Sequence, residues 1–173
     1  GNHEQRPKCI STYTCKYIPR WGGLYYIEEE YPNILFPCDG LVYNLEGFKC
    51  LVLGGAYSVD KFYRLENGWK WFANEQISTE DRAIIDCIAY FGGYDDVNYV
   101  LAHTCPLQYE PREVFLPMID QSTVDKTMET WLDDMYNCLN ERELKKFYCG
   151  HYHIDKVIDK CCFMFNDIRM LGD

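Results

Sequence analysis

Apolar residues recur along this chain in short clusters bounded by turn residues. Ile34-Leu35-Phe36, Leu41-Val42-Tyr43 and Phe48 to Leu53 are three such clusters, separated by Asp39-Gly40 and Glu46-Gly47. An acidic residue followed by glycine between extended apolar segments marks a turn, so the three are expected as a strand meander. The third runs into Gly54-Gly55, where backbone can turn sharply or approach a ligand closely. Ser78 with Asp81 three residues on starts a helix. Ile84, Ile85, Ile88 and Phe91 follow at helical spacing, and Gly92-Gly93 ends it. Val97 to Ala102 reads as a buried strand that closes at His103. A second helix is expected from near Ser122, with Val124, Met128, Trp131, Leu132, Met135 and Leu139 on one stripe. Phe147 to Cys149 is a short strand ending at Gly150-His151, and the last strands lie around Val157-Ile158 and Cys161 to Phe165. Residues 5 to 32 are rich in Tyr, Pro and Gly without a clear period and read as a long loop. Strands on both sides of two helices predict a mixed α/β layered domain.

Composition narrows the class. The 173 residues are 47% hydrophobic and 16% aromatic, enough for one folded domain with its own core. A net charge of −10 argues against a nucleic-acid partner, whose backbone selects for Lys and Arg stripes. No run approaches the ~20 apolar residues of a membrane span, and no signal-peptide pattern opens the chain. Ten cysteines invite a disulfide reading. Several of them nevertheless sit inside apolar runs, as in Cys161-Cys162-Phe163, and no Cys-x-x-Cys pair occurs. Reduced, mostly buried cysteines and a cytoplasmic location are therefore expected. The first residue is Gly1 and not Met, so the chain is expected to have lost residues upstream.

The four histidines fall at loop positions beside strand ends or turns. His3 stands in Gly1-Asn2-His3-Glu4, His103 closes a strand in Leu101-Ala102-His103-Thr104, and His151 and His153 form Gly150-His151-Tyr152-His153. Ligand chemistry in α/β sheets gathers at the carboxyl ends of strands. Two histidines two residues apart in extended backbone point to one side, so both imidazoles are expected to reach one place. Neutral imidazole suits Zn, Mn, Fe or Ni, and an Asn carbonyl oxygen suits the harder ions.

That ordered set resembles the calcineurin-like metallophosphoesterases. Their five sequence blocks are Asp-x-His, Gly-Asp-x-x-Asp, Gly-Asn-His-Glu/Asp, a strand-terminal His and Gly-His-x-His, and this chain carries the last three. Leu53-Gly54-Gly55-Ala56-Tyr57-Ser58-Val59-Asp60-Lys61, with Trp69 and Glu75-Gln76, resembles a bacterial and phage-type subgroup. The resemblance implies a layered β-sandwich flanked by helices. Residues 1–173 would form a single phosphoesterase domain, truncated on its N-terminal side. It further implies a phosphatase or phosphodiesterase in which two divalent ions (Mn, Fe, Zn or Ni) about 3.5–4 Å apart activate water. Asn2, His103 and His151 would hold one ion and His153 would belong to the other. His3 would face the substrate and protonate the leaving oxygen or stabilise phosphoryl charge. With the first two blocks missing, weak metal binding and little hydrolysis are expected of this chain. The acidic balance favours a small phosphoester or phosphoprotein substrate over nucleic acid, and no membrane partner.

Other residues keep two readings. Glu4 is either an acceptor that orients a histidine or a solvated acid at a chain end. Arg64 and Lys61 either contact phosphate or form a solvated pair on a loop, and Tyr57 and Ser58 either line the same cleft or pack locally. Trp69 and Trp71 either stack on a base or sugar or pack against the domain, and Asp120-Gln121-Ser122 either shapes the pocket or simply leads into the helix. Alternation would aim Cys149 with His151 and His153, although its Phe-Tyr-Cys run favours a strand interior. The competing class is a non-enzymatic Cys/His-rich module folded around one structural zinc.

Overall fold

The computed structural model describes residues 1–172. Strands β1 (Tyr13–Ile18), β2 (Gly23–Glu28) and β3 (Leu35–Pro37) form a three-stranded antiparallel sheet. The chain continues through β4 (Val42–Leu45), β5 (Phe48–Leu53), helices α1 (Lys61–Glu66) and α2 (Thr79–Tyr90), and β6 (Tyr99–Ala102). Helix α3 (Thr127–Cys138), β7 (Lys146–Cys149), β8 (Lys156–Ile158) and β9 (Cys161–Phe163) complete it. The second sheet has the order β4-β5-β6-β7-β9-β8, with β5, β6, β7 and β9 parallel and the two outer strands antiparallel. The protein is a mixed α/β fold with two sheets and three α-helices among the described residues. No helix in them is long and apolar enough to cross a membrane.

The parallel strands require crossovers, which α2 and α3 supply between β5 and β6 and between β6 and β7. Leu51, Val100, Phe147, Cys161 and Phe163 from the sheet pack on Met128, Leu132 and Met135 of α3 in the main core. Ser78 caps α2 by accepting the Asp81 amide at 3.1 Å, and Gly92, with φ of 76°, ends it. The Glu46-Gly47 turn joins β4 to β5 with positive φ at both residues, the two-residue geometry that matches strand twist.

Four expectations change. Residues 5 to 32 are not a loop: β1 and β2 form a hairpin across them, and β2 alternates buried Gly23, Tyr25 and Ile27 with more open neighbours. Tyr25 and Ile27 meet Tyr43 of β4, which joins the small sheet to the large one. The meander fails for a related reason, because β3 pairs with β2 and only β4 and β5 form a hairpin. Helix α3 begins at Thr127 and not near Ser122, because Asp125 accepts the Thr127 amide at 2.9 Å and Ser122 lies in a separate 3-10 turn. On α2 only Ile85 of the expected stripe is buried, while Ile84 and Phe91 are 60% and 78% exposed. The register that turns Ile85 inward leaves the others on an open face.

Leu132 is fully buried at the centre of the α3 stripe. Leu132→Ala is expected to cost about 2–5 kcal/mol through lost burial and the cavity left behind, read as a lowered urea midpoint with an unchanged slope.

Candidate functional site

The carboxyl ends of β5, β6 and β7 lie side by side in the parallel sheet, which places Gly54-Gly55, His103 and Gly150-His151 along one edge. The Gly150 amide donates to the His103 carbonyl at 3.0 Å and ties two of these loops together. The N-terminal segment reaches the same edge because buried Arg6 forks onto Asp39, at 2.9 Å to Oδ1 and 2.7 Å to Oδ2. Asp39 also accepts the Gly54 amide at 2.8 Å. Glycine is required here by close approach. A Cβ on Gly54 would lie 2.5 Å from the Arg6 guanidinium, and one on Gly55, whose φ is 83°, would lie 2.5 Å from the Glu75 carbonyl.

Asn2 stands at the centre. Its Oδ1 lies 2.7 Å from His103 Nε2, and its Nδ2 lies 3.4 Å from Ser58 Oγ and 3.3 Å from His3 Nε2. The His103 and His151 ring centroids are 5.1 Å apart. Burial, and then each ring's neighbouring histidine, push His103 down to about 3 and His151 down to about 4. Both imidazoles are therefore neutral near pH 7 and carry a lone pair.

His3 is steered by a buried carboxylate. Glu75 is 1% exposed and accepts from the Ser58 amide at 2.7 Å, the Ser58 hydroxyl at 2.5 Å and Trp71 Nε1 at 3.1 Å. The His3 amide approaches it at 3.4 Å. Both Glu75 oxygens collect donors, so the Ser58 proton points at Glu75 and the Ser58 oxygen faces His3 Nδ1 at 3.1 Å as an acceptor. That assigns the proton to Nδ1 and leaves Nε2 as an acceptor, which Asn2 Nδ2 approaches at 3.3 Å. Asp60 stands 3.8 Å from the same Nδ1, and its buried Oδ1 has no hydrogen-bond partner.

A cleft of about 400 Å³ opens beside these groups, lined by Asn2, His3, His151, His153 and Tyr57 among others. Other expected residues lie elsewhere. Glu4 is exposed with its carboxylate 3.6 Å from the Gly1 amine, so the acceptor beside His3 is Glu75 instead. Arg64 and Lys61 lie on α1 and not on a loop. Arg64 pairs with Asp60 at 2.9 Å, and the Lys61 ammonium sits 4.1 Å over the Trp71 ring. Ser58 is fully buried and acts on His3. His151 and His153 are not in extended backbone: their φ values are 63° and 54°, and His153 stacks on Phe165 at 4.9 Å. Five cysteines are buried, four are exposed and one is intermediate, so the expectation of mostly buried thiols holds for half. Contact with Cys161 and burial push the Cys149 thiol far up, in keeping with a strand interior.

Asn2, His103 and His151 are the residues that could hold a divalent ion. The 2.7 Å contact is a hydrogen bond in which His103 Nε2–H donates to Asn2 Oδ1, and an ion bound there would have to displace that proton; the spacing is close to the roughly 3 Å that two ligands at right angles span around one ion. Among the described residues, no three or more His, Cys, Asp or Glu side chains form a group arranged to hold a metal; the set at this edge depends on Asn2. Glu75 and Asp60 carry roles that sequence reasoning missed, although both stand in the Gly-Gly to Glu-Gln stretch. Comparison with family models, curated proteins and solved structures finds no match for this chain.

Two outcomes follow from these contacts. Glu75→Ala strands several buried donors and is expected to lower stability by at least about 2 kcal/mol in urea unfolding, with loss of the His3–Ser58 contact seen by NMR. His103 also predicts a pH effect. Its folded value near 3 lies below the unfolded value of 6.5, so the unfolded chain binds the extra proton first. Stability is thus fully present above pH 6.5 and falls toward pH 3. His103→Gln should flatten that decline relative to the unsubstituted protein, as read from urea midpoints at pH 7, 6, 5 and 4.

Proposed function

We propose that this chain carries the Asn-His side of a metal-dependent phosphoester hydrolase of the calcineurin-like type, with the metallophosphoesterase fold. The observation that carries the reading is the meeting of Asn2, His103 and His151 at the carboxyl edge of a parallel sheet, with His3 beside them on the cleft. These residues come from three separate parts of the sequence, in the order that the family's blocks prescribe. Asn2 Oδ1, His103 and His151 would hold one divalent ion of the Mn, Fe, Zn or Ni class. Such an ion supplies a water of lowered pKa and neutralises phosphoryl charge. His153 would contribute to a second ion, whose other ligands belong to the two sequence blocks that this chain does not contain.

The chain's own residues then divide the work. His3, held by Ser58 through Nδ1, would exchange the Asn2 amide at Nε2 for the substrate oxygen, where a protonated ring donates to the leaving group. Glu75 fixes Ser58, and Asp60 lies within reach of the imidazolium charge. Tyr57 walls the cleft. Ten cysteines free of disulfides suit a reducing, cytoplasmic setting. The zinc-module reading draws on the same ten, yet the structure scatters them, and its close pairs (Cys15 with Cys38, Cys149 with Cys161) lack further ligands.

Titration with Mn²⁺, followed by NMR and by hydrolysis of p-nitrophenyl phosphate and its bis ester, tests this. Mn²⁺ is expected to broaden His103 and His151 first, with a dissociation constant in the high micromolar range or weaker and slow metal-dependent turnover. His103→Ala should abolish both, and His3→Ala should remove turnover at least tenfold while sparing Mn²⁺ binding. Tight zinc held by cysteines, with unfolding on chelation, would instead support the module.

A further inference from the structure

The cleft beside the histidines is asymmetric. Its far wall comes from the segment between β6 and α3, where Phe115, Leu116, Ile119 and Val124 present aliphatic and aromatic surface, and Tyr57 closes the near side. Leu116 is 58% exposed although it lines a concave site, so its apolar surface is left uncovered. Phe115 stacks nearly parallel on Tyr152, at 6.2 Å and 11°. Tyr152 stands between His151 and His153, so the apolar wall packs directly on the histidine loop.

Charge in the cleft excludes a highly anionic occupant beyond the histidines. Asp60, Asp125 and Glu129 line it, and Asp60 Oδ1 and Glu129 Oε2 are buried without hydrogen-bond partners. The one lysine lining it, Lys126, donates to Glu110 at 2.6 Å and lies 4.6 Å over the Phe115 ring. A second phosphate or a carboxylate placed there would meet carboxylates and a cation that is already engaged.

We propose that the wall formed by Phe115, Leu116, Ile119 and Val124 is the subsite for the organic group of the ester, and that this group is apolar. The substrate class is a phosphoester of an alkyl or aryl alcohol, in preference to a nucleoside polyphosphate or an acidic phosphopeptide. This rests on the phosphoesterase reading for the phosphoryl half of the molecule. Leu116 and Phe115 set the preference by covering the organic group, and the histidine edge receives the phosphoryl group.

The experiment titrates the chain in Mn²⁺ with ethyl-, butyl- and hexylphosphonate, probes that bind without turning over. Burial of each added methylene is expected to tighten binding about three- to fourfold until the wall is covered. Leu116→Asp should flatten that dependence, whereas Met118→Asp should leave it unchanged, since Met118 is 92% exposed and lies outside the cleft. A flat chain-length dependence, or the same steep dependence in Leu116→Asp, overturns the subsite. Hydrolysis of butyl phosphate is measured separately. Its absence alongside an intact, Leu116-sensitive dependence retains the apolar subsite and overturns the phosphoesterase reading instead.

Discussion

One buried carboxylate organises the candidate site. Glu75 is almost fully shielded from water, and leaving its polar oxygens there without partners would cost several kcal/mol. The chain meets that cost by directing donors from three places at it: the backbone and hydroxyl of Ser58, the indole of Trp71 and the amide of His3. Each partner is thereby placed. Ser58 is held at the end of the Gly54-Gly55 turn, and Trp71 is turned inward with Lys61 over its ring. His3 is drawn from the N-terminal segment to the sheet edge. A neutral side chain at 75 would accept fewer of these bonds, and the three segments would lose the point that they share.

The parallel sheet supplies the other half of the constraint. Parallel strands with helical crossovers all end their carboxyl termini on one edge, so His103 after β6 and His151 after β7 become neighbours although 48 positions separate them in the chain. Left-handed backbone at His3, His151 and His153 then turns the chain sharply just past that edge. Such φ values are uncommon outside glycine and cost of order 1–3 kcal/mol each, so surrounding contacts must hold them. The Gly150 amide on the His103 carbonyl and the Tyr152–Phe115 stack are two such contacts.

Much of this was legible before the structure. The end of β5 at Gly54-Gly55, the Ser78 cap, the Gly92 stop, the Glu46-Gly47 turn and the strand before His103 are all local signals, and each formed as expected. Non-local pairing was less legible. The β1–β2 hairpin escaped because β1 has no buried residue and the only buried set is Gly23, Tyr25 and Ile27, which look like loop composition until Tyr43 covers them. At the site, residue types led to Asn2 and the four histidines because imidazoles are few. Glu75 could not be singled out in this way among 27 acidic residues, since its burial depends on a fold that brings Trp71 and Ser58 to it.

The charge pattern around the cleft bears on how a phosphoester could be received at all. Asp60, Asp125 and Glu129 face a site whose two inner histidines are held neutral, and whose lysine is engaged by Glu110. Burial pushes Glu129 upward, whereas Asp125, against the pull of its own burial, is held below the usual carboxylate range by hydrogen bonds from Thr127 and Gln76. At an effective dielectric of 20, one carboxylate about 4 Å from a phosphoryl oxygen opposes binding by roughly 4 kcal/mol. Neutral imidazoles and an amide offset little of that. A divalent cation at the Asn2–His103–His151 edge would reverse the sign of the local field and let the same carboxylates favour the cation and a protonated His3. The acids that make the bare cleft hostile to phosphate thus become, on this reading, the groups that keep the cation and the proton in place, while the apolar wall is left to bind the part of the substrate that carries no charge.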